Sequence, residues 1–461
     1  MNRRQLLQSS ALGFGWLAFT DLLLATHGAD TPPAAPDPLA PKPPHFPARA
    51  KRVIFLFMHG GPSQVDTFDY KPKLTQDDGK PLPFPKPRVV SSATGNLLRS
   101  PFSFRQYGQS GAWVSELFPH IGGCVDDLCF IKSMHGSNSR HGGALLELHT
   151  GSDTFVRPSM GSWITYGLGT ENRDLPGFVT ICPTLTHGGA NNYSSAFLPA
   201  VYQATPLGNA ATPASRVTIP FVKGTTPPSQ QRLELDLLAE LERERTTAAD
   251  SVATSRLQSF EMAFRMQNAA PAVQDLSKET AETHKLYGIG EPVTDNFGRQ
   301  CLMARRFAEA GVRFVQCTHS YKWDQHDNLK KDHTTNAREV DKPIAGLLTD
   351  LKRRGLLADT LVIWGGEFGR TPVAQGKDGR DHNPHGFTMF LAGGGVKAGY
   401  SHGTTDEYGY YAVEKKVHIH DLHATILHLL GLDHTRLTFR HAGRDFRLTD
   451  VHGEVVHDLF A

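Results

Sequence analysis

Cysteine is scarce in this chain of 461 residues: Cys124, Cys129, Cys182, Cys301 and Cys317 are all there is. Five is odd, and no pair stands at zinc-ligand spacing, which excludes a disulfide-stapled scaffold and a thiolate zinc module. Buried free thiols are expected, with one bridge from Cys124 to Cys129 left open if the compartment is oxidising. Charge of one sign is also lacking: 48 Lys plus Arg against 46 Asp plus Glu leaves a formal +2. Such a balance gives no field to draw in a polyanion, so no nucleic-acid partner is expected. Beyond the N-terminus no apolar run is long enough to span a bilayer, and no internal repeat is visible. What the chain has in excess is histidine, 23 in all, and neutral imidazole is the commonest transition-metal ligand.

The N-terminus reads Asn2-Arg3-Arg4-Gln5-Leu6-Leu7, then a mostly apolar stretch from Ala11 to Leu24 and the small residues Ala25, Gly28 and Ala29. This is the pattern of a twin-arginine export signal over residues 1–29. The stretch is short and interrupted by Asp21, which favours a signal over a resident membrane helix. A periplasmic or extracellular protein is expected, meeting the membrane only through its export machinery. Residues 30–50 are rich in Pro and Ala and are expected to form an extended linker. Residues 51–461 are then one large domain.

Five apolar runs bounded by turn residues read as buried strands: Val53 to Met58, Gly177 to Cys182, Val312 to Cys317, Thr360 to Trp364 and Thr388 to Ala392. Helical patterns lie between them, at Phe297 to Ala310, Pro343 to Arg354 and His420 to Leu430. Alternation of this kind predicts an α/β fold with a mostly parallel sheet. Gln231 to Met266 suits two amphipathic helices broken near Thr246 to Ser251, within an insertion of about 230–290. Lys71 to Gln109, rich in Pro, Ser and Gly, is expected to be surface loop.

Ligands of open α/β sheets bind outside the carboxyl ends of the strands, and polar residues gather there in this sequence. His59, Ser63, Asp66 and Asp69 follow the first run; His319, Asp324, His326 and Asp327 follow the third; Glu367 and Arg370 follow the fourth. Asp381-His382-Asn383-Pro384-His385 precedes the fifth, and His135, Arg140 and His141 precede a short helix ending at Thr150-Gly151. Mixed imidazole and carboxylate donors suit one or two divalent ions of zinc, manganese or iron. The expected ligands are His59, Asp66, Asp324, His326, Glu367, His382 and His385.

Several strings carry a resemblance: Cys301-Leu302-Met303-Ala304-Arg305-Arg306, Trp323-Asp324-Gln325-His326, Gly365-Gly366-Glu367-Phe368-Gly369-Arg370-Thr371-Pro372, Gly379-Arg380-Asp381-His382 and Asp421-Leu422-His423-Ala424-Thr425. They resemble the domain-of-unknown-function 1501 family, itself distantly similar to the alkaline phosphatase and sulfatase superfamily. The resemblance implies an alkaline-phosphatase-like three-layer sandwich with a mostly parallel central sheet and helical and loop insertions. In that superfamily the first strand ends in a metal-binding aspartate, where this chain has His59. The nucleophile precedes a short helix ending in Thr-Gly, a place held here by His141. An aspartate and histidine pair resembles Asp324 and His326, a later pair resembles Glu367 and Phe368, and a further histidine is supplied by His382 or His385.

Two functions follow. One is a metal-dependent hydrolase of anionic phosphate or sulfate esters, including those of polysaccharides. In it Arg140 or Arg370 binds the anion, and His141 acts as nucleophile or leaves the attack to water, with Ser137 and Ser139 as rivals. The other is a non-catalytic protein of the same fold, serving in binding or surface assembly.

Overall fold

The computed structural model describes residues 37–85, 94–220, 222, 226–245 and 251–461. The export signal, the start of the linker and the expected helix break at 246–250 lie outside the described residues.

Each apolar run becomes a strand. In chain order the central strands are β1 (Arg52–Met58), β2 (Leu128–His135), β3 (Phe178–Ile181), β4 (Thr205–Leu207), β5 (Phe314–His319) and β6 (Thr360–Gly365). After them come β7 (Gly369–Gln375), β8 (Gly379–Asn383), β9 (Phe387–Ala392), β10 (Tyr400–His402) and β11 (Val417–His418). Nine of these build one sheet in the order β10, β2, β9, β6, β1, β5, β3, β4, with β11 paired to β2. The strands from β6 to β4 run parallel, Val53 pairing with both Phe314 and Leu361. The exception is β9, antiparallel to β6 and to β2.

All seven residues of β1 are buried, so both faces of the sheet are covered, as a parallel sheet requires. Val53, Ile54, Phe55, Leu56, Phe57 and Met58 are each at most 1% exposed, and a side chain of this kind contributes about 1.5–3 kcal/mol on burial. Burial on this scale is why the strand ends hold still enough to carry a site.

The longer helices are α1 (His141–Thr150), α2 (Met160–Leu168), α3 (Pro228–Arg245), α4 (Ser251–Gln274), α5 (Asp295–Glu309), α6 (Leu329–Arg353) and α7 (Ile419–Leu429). The helix expected to open at Pro343 begins instead at Leu329, and Pro343 is buried within α6. A proline that suits a first turn was read as a start, but packing carries the helix through it. No helix among the described residues is long and apolar enough to cross a membrane.

Two further expectations are corrected. From Pro38 the linker is seated on the domain: Leu39 is buried, and Lys42, His45 and Ala50 donate backbone N–H groups to the carbonyls of Leu168, Gly431 and Leu429. Within the stretch expected as loop, Thr94–Leu97 pairs with β7, an edge pairing that its own sequence does not announce. Cys124 and Cys129 are free thiols, in line with the expectation, and the bridge left open between them is not formed.

Candidate metal centre

The carboxyl ends of β1, β3, β5 and β6 open on one side of the sheet. His59 follows β1, His187 lies in the loop after β3, Tyr321, Asp324 and His326 follow β5, and Glu367 follows β6. His141 is the first residue of α1. A side sheet formed by β7, β8 and Thr94–Leu97 adds Asp381 and His382. The turn after β1 needs glycine: Gly60 has φ +116°, and a Cβ there would stand 2.6 Å from the backbone nitrogen of Asp324. This close approach sets the β1 and β5 loops side by side.

Asp324 is the hub. Its Oδ1 lies 3.2 Å from His141 Nε2, 2.9 Å from His326 Nε2, 3.1 Å from His382 Nε2 and 2.7 Å from the Arg370 guanidinium. The Tyr321 hydroxyl donates to its Oδ2 at 3.0 Å. Each imidazole is oriented through its other nitrogen. His141 Nδ1–H donates to Glu367 Oε1 at 2.7 Å, His382 Nδ1–H donates to the Ser139 carbonyl at 2.7 Å, and His326 Nδ1 meets the side-chain oxygen of Gln375. An acceptor on Nδ1 leaves Nε2 as the lone-pair nitrogen of a neutral ring, the arrangement found around ligating histidines.

Three such nitrogens therefore converge on one carboxylate oxygen, and His326 Nε2 and His382 Nε2 stand only 3.0 Å apart. Lone pairs facing one another and an anion repel unless positive charge lies among them, as protons or as a cation. His141 Nε2 is buried and, although 3.2 Å from Asp324 Oδ1, makes no hydrogen bond. Buried nitrogen lone pairs around a carboxylate fit a divalent ion. His141, Asp324 and His382 form one group with all donor atoms within 4.8 Å, and His326, Asp381 and His382 form another.

The electrostatics agree. Burial pulls the His141 pKa down, but the neighbouring carboxylates of Asp324 and Glu367 outweigh it and raise the pKa to about 9. Asp324 is held far below the carboxylate range, its desolvation outweighed by the three histidines and Arg370. Glu367, fully buried, is likewise lowered to about 2 by His141 despite desolvation. Positive charge is thus strongly favoured at this point, and a bound cation would displace protons to supply it. His59, by contrast, is lowered to about 4, chiefly by burial.

The structure brings together His59, His141, Asp324, His326, Glu367 and His382. It places the other expected ligands elsewhere. Asp66 is fully buried against Arg380, 2.6 Å and 3.2 Å away, and accepts a hydrogen bond from Ser63 Oγ. His385 packs against Tyr411, ring centres 5.4 Å apart, away from the groups above. Glu367 acts through His141 and accepts the Gly60 N–H. Arg370 is wholly buried, its donors taken up by the carbonyls of Gly60, Gly61, Trp323 and Arg380 and by Asp324. It positions Asp324 and has no face to offer an anion. Arg140 is exposed, one residue before His141, and among the described residues it meets no carboxylate.

Ser137 is no activated nucleophile. Its hydroxyl lies 3.0 Å from His418 Nε2, but His418 Nδ1 accepts the His420 N–H, so the neutral ring carries its proton on Nε2 and donates to the serine. Ser139 contributes its carbonyl to His382. Tyr321, His187 and Gln375 were missed by the sequence reading. His187 was within reach: it follows a strand end, in a loop where no neighbouring carboxylate drew attention to it.

No curated protein matches the chain. Among solved structures it is similar to the lipoteichoic acid synthase LtaP of Listeria monocytogenes, at 10% identity over 89% of this chain and 78% of that one, with a TM-score of 0.36. It is also similar to the PsFucS1 sulfatase of Pseudoalteromonas sp., at 13% identity over 83% and 68%, with a TM-score of 0.36. A third is the alkaline phosphatase of the Antarctic bacterium TAB5, at 10% identity over 83% and 98%, with a TM-score of 0.35. Likeness at these scores carries no argument of its own. Sequence does: residues 50–460, which include every side chain of the centre, match the family described as "Protein of unknown function (DUF1501)", and the chain belongs to that family.

Proposed function

We propose that the chain is an exported, metal-dependent hydrolase of anionic esters, of the phosphate or sulfate class and including esters of polysaccharides. The observation that carries this reading is the convergence of His141, His326 and His382 on Asp324 Oδ1, each ring oriented from behind. A divalent cation held by these four residues would supply Lewis acidity to the ester oxygen and to the attacking water. The ester class follows the resemblance of the motifs to the alkaline phosphatase and sulfatase superfamily.

The chain's own residues divide the work. Glu367, Ser139 and Gln375 keep Nε2 of each imidazole aimed inward; Arg370 and Tyr321 hold the Asp324 carboxylate. To Arg140, exposed and one residue before His141, we assign the binding of the substrate anion. His141 is held at Nδ1 by Glu367 with Nε2 aimed at Asp324, which suits a ligand more than a nucleophile. Attack by water is the mechanism consistent with this set.

Direct assay of the purified full chain tests the reading, through metal content and hydrolysis of chromogenic phosphate and sulfate esters. Bound metal and turnover of one ester class are expected; protein with neither would overturn it. One observation favours a second reading, a non-catalytic binding or surface-assembly role. The superfamily's nucleophile position carries His141, and no serine beside it is activated. Metal bound with no turnover of either ester would select that reading.

A further inference from the structure

Three imidazoles and a guanidinium converge on Asp324, yet the loop that carries it is exposed just before it, at Tyr321 and Lys322. Something must hold that loop still. The side chains that do so have no task in the hydrolytic reading. We infer that His319 and a strip of α6 formed by His333, Asn336 and Glu339 are positioning residues, which lock Trp323 and so set where the Asp324 carboxylate stands. This rests on Asp324 as the hub of a cation site and deepens that reading by naming what fixes the hub.

His333, Asn336 and Glu339 recur at every third residue of α6 and therefore share one strip of its surface. All three act on the residues before Asp324. The His333 ring meets the Trp323 indole edge-on, ring centres 5.3 Å apart. Asn336 Nδ2 donates to the Lys322 carbonyl. Glu339 Oε2 accepts from Lys322 Nζ and, at 2.8 Å, from His319 Nε2.

His319, the last residue of β5, joins this strip to Trp323. The indole N–H can only donate, and it lies 2.9 Å from His319 Nδ1, so Nδ1 accepts and the ring carries its proton on Nε2, toward Glu339. Burial keeps that ring neutral, lowering its pKa against the pull of Glu339. The backbone of Trp323 is fixed as well: its N–H donates to the His59 carbonyl at 3.2 Å, and its carbonyl accepts from Arg370 at 3.0 Å. Trp323 is thus gripped at three points, and Asp324 follows it in the chain.

Packing alone could have held a wholly buried indole. Instead an imidazole that is only 4% exposed is drawn in to meet its N–H. Burying a polar ring carries a desolvation cost that an apolar neighbour would avoid. What the hydrogen bond adds is direction, which a site built on a loop needs from its supporting residues.

The full chain tests this with two substitutions at one position. His319→Leu removes the acceptor of the indole N–H, whereas His319→Asn puts a side-chain oxygen near the place of Nδ1 and keeps it. Zinc affinity is measured by chelator competition, and the order of the loop by amide hydrogen exchange of the segment 320–327 without metal. His319→Leu is expected to bind zinc about 10-fold more weakly and to exchange faster in that segment; His319→Asn is expected to restore both. Tyr287→Phe removes a buried hydrogen bond to Asp350 near the other end of α6 and is expected to keep native zinc affinity. Native affinity and exchange in His319→Leu, equal losses in His319→Asn, or an equal loss in Tyr287→Phe overturn the inference. If wild type binds no zinc, the cation reading falls and the exchange alone decides: faster in His319→Leu and restored in His319→Asn upholds the positioning role, and any other pattern overturns it. Should His319→Leu fail to fold, Trp323→Phe, which keeps an aromatic ring and removes the indole donor, takes its place with the same expected losses, and native values there overturn the inference.

Discussion

Replacing Glu367 by glutamine changes one atom and no volume, yet it should disable the centre. In the native structure the Glu367 carboxylate accepts from two donors, His141 Nδ1–H at 2.7 Å and the Gly60 N–H at 3.1 Å and 3.2 Å to its two oxygens. Oε1 takes both the His141 Nδ1–H and the nearer Gly60 contact, and an amide oxygen in its place, with two lone pairs, keeps both. What the substitution removes is the negative charge behind the ring, which makes Nε2 the stronger ligand. Loss of an outer partner of a ligating histidine costs about 10–100-fold in metal affinity, equivalent to about 1.4–2.7 kcal/mol. If the amide NH2 takes the Oε1 place instead, a buried donor is left opposite the His141 and Gly60 donors, which destabilises the fold by about 1–3 kcal/mol. Zinc affinity from chelator competition, with a thermal melt of the same sample, separates the outcomes. A Glu367→Gln protein with native affinity and native melting would refute the claim that the Glu367 charge supports the ligating ring.

Other consequences concern stability and substrate. Asp66→Asn strips the counter-charge from the fully buried Arg380 and should cost about 3–5 kcal/mol in urea unfolding at pH 7. Desolvation raises the Asp66 pKa, but Arg380 outweighs it and holds the group below its ordinary value. Its stabilisation is therefore present above the unfolded value near 4 and lost as pH falls through the folded value, so wild type should weaken in acid more steeply than the variant. A pH series of unfolding midpoints with equal slopes would count against this. Gly60→Ala forces a side chain into φ +116° and against the Asp324 backbone; a loss of about 1–3 kcal/mol together with lower metal content is expected from melting and elemental analysis. If Arg140 binds the substrate anion as proposed, Arg140→Ala should raise KM for an anionic ester several-fold with a smaller change in kcat, read from steady-state kinetics.

Much of the scaffold was legible because its signals are local. The run Val53 to Met58 could only be a strand buried on both faces, and His59 after it could only stand at a carboxyl end. The same logic located Asp324, His326 and Glu367, while His382 was found in a polar cluster just before a strand. It also admitted Asp66 and His385, since proximity to a strand end says nothing of which way a side chain turns. Asp66 turns to Arg380, a residue 314 positions away in the chain, and no spacing rule announces that pair. Arg370 was read as an anion binder because arginine so often is; only the carbonyls that surround it show that its donors are spent. His187 was passed over because its loop holds no carboxylate beside it.

By itself the sequence determined the α/β class, the buried strands and the membership of residues 50–460 in one family, because hydrophobic period and motif strings are properties of neighbouring residues. Tertiary structure alone decided which imidazoles converge on Asp324, which nitrogen of each is left to ligate, and which charged groups are neutralised from behind. Those outcomes depend on distances of a few ångströms between residues far apart in the chain, set by the register of β1 with β5 and β6 and by the close approach at Gly60.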